Sequence, residues 1–173
     1  MRNLRFAVLV ACLVVPSMAL AGGSGTNTTV TVNATVEQFF EWTDVNPSIT
    51  VPNFTASNQT KGSSVLLTVW TNVGATITPS VTDGKNAVLT KGTEVLTTEY
   101  KMTGADLGGT ADAAWKGSGA GGAFITANTY TVQQAGGTGV YTMTMNAQAT
   151  TSAVKANDSG NYSCQVVLTA TWS

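Results

Sequence analysis

The chain has 173 residues, and only 10% of them are charged, well below the ~25% of an average soluble domain. Histidine is absent, and the only arginines are Arg2 and Arg5. That excludes a triad base, an imidazole metal ligand and, beyond the first few residues, a bidentate phosphate clamp. It also leaves no basic footprint for nucleic acid.

Residues 1–21 read as a secretory signal peptide. Arg2 and Arg5 form the positive end, and an apolar run of ten residues follows over 6–15, half the ~20 needed to span a bilayer as a helix. Pro16 ends the run, and Ala19 and Ala21 are the small residues before a cut at Gly22. Leu9-Val10-Ala11-Cys12 also fits a lipid-attachment box, but only six apolar residues precede Cys12. The expectation is therefore a secreted chain with one domain over 22–173 and no transmembrane segment. It keeps six lysines against nine acidic residues, and Cys164 is its one cysteine, which precludes an intrachain disulfide.

The dominant hydrophobic period is two. Thirty threonines interleave with valine and other apolar residues, a pattern that suits a pleated, half-buried surface. A first strand is expected over 28–42, with Val30, Val32, Ala34 and Val36 on one face and a break at Phe39-Phe40. A short strand over 48–51 ends at Pro52. Residues 63–72 are apolar on both faces and predict a central, covered strand. Strands follow over 75–81, with Pro79 near its end, over 87–90 after the Asp83-Gly84 turn, and over 94–102. The glycine-rich stretch 104–122, holding Trp115, predicts a long mobile loop. Strands over 124–134 and 140–149 come next, and the last runs from Asn161 to the end, with Cys164, Val166 and Leu168 facing inward. The expected core contains Val30, Val32, Leu67, Val69, Val166 and Leu168, beside a poorly reactive Cys164. The fold class is all-β: an antiparallel β-sandwich of eight to ten strands, immunoglobulin-like or pilin-like.

No constellation points to catalysis. Glu37 and Glu41 share a strand face only if the break between them is ignored, so they make a poor glycosidase pair. Asp83, Asp106, Asp112 and Asp158 fit no calcium-loop pattern. No enzyme activity, metal or cofactor is expected. Six N-x-[ST] sequons, at Asn27, Asn33, Asn53, Asn58, Asn157 and Asn161, follow from a composition rich in Asn and Thr. Trp115, set among small residues, is the candidate glycan contact, whereas Trp42, Trp70 and Trp172 are expected to pack inward.

The two ends carry a resemblance. Thr29-Val30-Thr31-Val32-Asn33-Ala34-Thr35-Val36 is similar to the opening of bacterial fimbrial subunits of the spore-coat-U-like, archaic chaperone–usher type. Gly160-Asn161-Tyr162 followed by alternation to the last residue resembles their close, and residues 141–149 resemble their penultimate strand. Those subunits usually pair an early cysteine with a second, and this chain has no such pair. The resemblance implies a structural subunit of a fimbria or pilus in cell adhesion, exported through the periplasm to the cell surface. Its expected partners are copies of itself or related subunits, and a periplasmic chaperone. In such assemblies a strand from one subunit completes the next. Val30, Val32, Ala34 and Val36 are the candidate plugs; the other reading of this segment is the first strand of its own sheet. The alternative function is a monomeric exported binding module that contacts glycan through Trp115.

Overall fold

Residue alternation sets which way a paired strand faces. The computed structural model describes residues 28–109, 114–126, 129–133, 139–153 and 157–172. The proposed signal peptide, 1–21, lies outside the described residues, as does Asp112. In chain order the elements are β1 (Phe40–Trp42), β2 (Thr60–Thr71), β3 (Ala75–Ser80), β4 (Thr90–Lys91), β5 (Glu94–Val95), β6 (Thr97–Thr103), β7 (Leu107–Gly109), β8 (Lys116–Gly117), α1 (Ala123–Thr126), β9 (Tyr130–Val132), β10 (Val140–Thr150) and β11 (Val167–Thr171). The protein is all-β, with antiparallel sheets.

One sheet has the order β1-β2-β10-β6-β8 and the other β11-β3-β9-β7, with a small β4-β5 pair. The centre of the first is β10, which pairs along its whole length with β2, from Val140 opposite Trp70 to Thr150 opposite Thr60. Its alternation puts Tyr141, Met143, Met145, Ala147 and Ala149 inside and threonine and amide side chains outside. Leu67, Val69 and Met143 of this sheet join Ile77, Tyr130 and Val132 of the other in one hydrophobic cluster. Burying each such side chain contributes roughly 1.5–3 kcal/mol. The Asp83-Gly84 turn forms as the sequence predicts, with Gly84 at φ 70°, a conformation that glycine adopts without the penalty a Cβ brings.

Several expectations are corrected. The glycine-rich stretch 104–122 is not one structureless loop: Leu107–Gly109 pairs with β9, and Lys116–Gly117 pairs with β6. The strand expected from residue 124 opens instead as a helical turn. Ile125 and Thr126 donate backbone N–H bonds to Gly122, and the turn drives Phe124 into the core, stacked on Tyr100 with ring centroids 4.5 Å apart. Residues 48–51 form no strand, and the last strand is confined to Val167–Thr171. The strand expected as covered on both faces is covered on one only: Leu66 and Trp70 on its outer side are 57% and 50% exposed. No helix among the described residues is long and apolar enough to cross a membrane.

The chain divides into two units between Thr35 and Val36. The described part of the first, 28–35, contains no strand and is exposed throughout. The expected first strand over 28–42 therefore shrinks to Phe40–Trp42. Val30 and Val32, expected in the core, are 78% and 77% exposed. The physical reason is pairing: a lone alternating segment gains nothing from its period until a second strand supplies hydrogen bonds and a cover.

Candidate functional site

The anchoring of the segment that precedes β1 is local. Asn72 accepts from the Phe39 N–H at 2.9 Å and donates to the Glu37 carbonyl at 2.8 Å. The Thr71 hydroxyl adds a bond to the Phe39 carbonyl at 2.7 Å. These clamps hold residues 37–39 at the end of β2. Upstream of them Val36 is 79% exposed, like Val30 and Val32, and Ala34 is exposed too. Such alternate apolar side chains normally face a core.

The body carries a long apolar cleft of about 770 Å³. Val65 and Leu67 of β2, Met145 and Ala147 of β10 and Tyr100 of β6 line it, and so do Cys164 and Val166 just before β11 and Leu168 within it. Segment 42–51 contributes Trp42, Ile49 and Val51. Cys164, Val166, Leu168 and Ala170 alternate inward as expected, yet all four are only partly buried. The expected full burial of Val166 and Leu168 is thus corrected. Among the described residues β11 has a strand partner on one side alone, β3, and β1 has only β2. An unpaired edge beside half-covered apolar side chains is a template for another strand.

Cys164 sits in this cleft with its sulfur 3.1 Å from the Tyr100 hydroxyl. Burial pushes the thiol above its ordinary range, and the nearby Asp83 carboxylate adds to the rise. The thiol is therefore a poor nucleophile at neutral pH.

Three aspartates serve the backbone. Asp44 accepts from the Thr68 N–H at 2.7 Å, and Asp106 from the Thr142 N–H at 2.9 Å. Asp83 accepts from the backbone N–H groups of both Lys85 and Gln165, at 3.0 and 2.8 Å, tying a turn to the segment that leads into β11. Glu37 and Glu41 are exposed. Among the described residues no three acidic, cysteine or histidine side chains gather to hold a metal.

The tryptophans depart from expectation. Trp115 is half-buried rather than free in a loop, and the Lys101 ammonium lies over its ring at 4.7 Å from the centroid. Trp70 and Trp172, expected inside, are 50% and 44% exposed. The signal for Trp70 was present in the alternation of β2: Leu67, Val69 and Thr71 face in, so Trp70 must face out. Trp172 stacks on Phe40 at 5.8 Å, and Phe40 meets Trp42 edge-on. No known family model matches the chain, and no curated protein is significantly similar to it.

Proposed function

We propose that the chain is a structural subunit of a bacterial extracellular filament, a fimbria or pilus, assembled by strand exchange between neighbours. One observation carries this reading: an exposed segment with alternate apolar residues coexists with an open apolar cleft beside the unpaired β11 edge. Residues 28–36 of one copy fill the cleft of the next. Val30, Val32, Ala34 and Val36 enter as plugs, and the donated backbone pairs with β11. Burying three valines gives roughly 5–9 kcal/mol before the losses of association, and the added main-chain hydrogen bonds remove a sheet edge. Head-to-tail donation does not close on itself, so it propagates as a fibre. Export through the periplasm and display at the cell surface belong to the same reading, as does a periplasmic chaperone that covers the cleft before assembly.

The test is gel filtration and negative-stain microscopy of the secreted protein. Filaments or a ladder of oligomers are expected. Deleting residues 22–36 should leave a subunit that does not polymerise, and Val32→Asp should act alike, because it drives an unpaired charge into the cleft. A full-length monomer whose residues 28–36 are protected from proteolysis would sink the proposal.

A further inference from the structure

The outer face of the five-stranded sheet carries a feature that strand exchange does not use. Trp70 points away from the core at 50% exposure, opposite Val140, which is equally exposed. Its indole is braced. Phe39 meets it edge-on with ring centroids 5.1 Å apart. Gly139 also comes so close that a Cβ there would lie 3.2 Å from the indole nitrogen. A large aromatic surface held rigid in water is a platform, since ordering it on binding costs little further entropy.

From this platform a polar lane runs along β10. Thr142, Thr144, Asn146 and Gln148 all face outward. Thr68 flanks Thr142, and Lys101 flanks Asn146. The amides are oriented by their donors: Gln148 Nε2 bonds the Glu99 carboxylate at 2.6 Å, and Asn146 Nδ2 bonds the Thr144 carbonyl at 3.3 Å. Neither amide oxygen accepts a hydrogen bond among the described residues. At the far end Trp115 carries the Lys101 ammonium. Trp70 and Lys101 lie opposite positions six residues apart on β10, roughly 20 Å at ~3.3 Å per residue.

We infer that this face binds a neutral, linear polysaccharide, with Trp70 stacked under one sugar ring and Asn146 and Gln148 bonding hydroxyls further along the chain. The chemistry fits that partner. The faces of pyranose rings present C–H groups to an indole, and their edges present hydroxyls that need both acceptors and donors. Glu99 and Lys101 lie side by side, with Glu99 tied to Gln148 and Lys101 over Trp115, so the lane has no single-sign field to attract an acidic glycan. A protein partner would more readily find a continuous apolar core, whereas threonines here separate Leu66 from Trp70 and Val140. The inference does not depend on assembly.

The experiment is a glycan array probed with the full-length labelled protein. The array holds β-glucan, xylan, mannan and chitin oligosaccharides of graded length, with polygalacturonate and heparin as acidic arms. Binding is expected to at least one neutral series and to strengthen with length. Trp70→Ala should weaken it by about tenfold or more, as loss of a central aromatic contact does. Should Trp70→Ala not fold, Gln148→Ala carries the same test, because its side chain lies on the outer face. Trp172→Ala, one residue past β11 and off the β10 lane, should leave binding unchanged. The inference is overturned if no neutral series binds, if only the acidic arms bind, or if Trp70→Ala and Gln148→Ala leave binding intact. Filament bundling that Trp70→Ala abolishes, without binding to any neutral series, assigns the face to contacts between copies and equally overturns it.

Discussion

The Tyr100 hydroxyl lies 2.8 Å from the Ala87 carbonyl and 3.1 Å from the Cys164 sulfur. A carbonyl only accepts, so the phenol proton goes to Ala87 and the thiol donates to the phenol oxygen. One hydroxyl thus joins β6, the turn before β4 and the segment that leads into β11. Tyr100→Phe leaves the Ala87 carbonyl without this donor and should cost about 1–3 kcal/mol in urea unfolding.

Burial raises the pKa of both partners, so each resists losing its proton in the folded protein. The folded protein therefore holds these protons at a pH where the unfolded chain has released them. Stability from the pair is complete below about pH 8.5, the ordinary thiol value, and falls as pH rises beyond it. The midpoint in urea should be flat from pH 6 to 8 and decline above. Thiol labelling of the folded protein should be slow at pH 7.5, and slower still once the cleft is filled by a donated segment. Rapid labelling of Cys164 in the filament would contradict its placement.

Asp83 supplies both carboxylate oxygens to backbone N–H groups, of Lys85 and Gln165. Hydrogen bonds to a charged acceptor contribute about 1.5–3 kcal/mol. Asp83→Ala should lose that much, and hydrogen exchange at Gln165 should accelerate. Asp83→Asn, which keeps one acceptor oxygen, should lose less.

Sequence periodicity made the all-β class legible, along with the alternation of β10 and the inward set Cys164, Val166 and Leu168, because a period of two is local information. It could not say whether an alternating segment has a partner. Residues 28–36 carry the same signal as β10, yet only β10 meets neighbours on both edges. Composition also misled over 104–122, where glycines permit close strand approach as well as a free loop. Of the cleft, the inward set Cys164, Val166 and Leu168 was readable. Its shape was not, because it depends on segment 42–51 and Tyr100, far apart in sequence. The Trp70 platform was hidden by treating a tryptophan as core before assigning its face.

Tyr141 presents another buried hydroxyl. Its side chain is 6% exposed, and its oxygen has no hydrogen-bond partner among the described residues. Removing an unsatisfied buried polar atom relieves a desolvation cost. Tyr141→Phe should keep the thermal midpoint or raise it, with a gain of up to about 1 kcal/mol. A clear loss of stability would mean that the hydroxyl is bonded, for instance by an internal water.

The sharpest contrast is between two sets of apolar side chains. Leu67 and Ile77 are 3% and 0% exposed and pack in the shared cluster. Truncating either to alanine leaves a cavity and should cost about 2–5 kcal/mol of subunit stability. Val30 is 78% exposed, so Val30→Ala should change the stability of an isolated subunit by less than about 0.5 kcal/mol. In the filament the same substitution removes methyl groups from a filled cleft. It should then lower the dissociation temperature of the assembled form, as a core truncation would. Measuring both forms of Val30→Ala separates the two roles that alternation can signal. A loss of stability confined to the assembled form places Val30 at a joint between subunits. An equal loss in the isolated subunit would place it in the subunit's own sheet and remove the basis for donation.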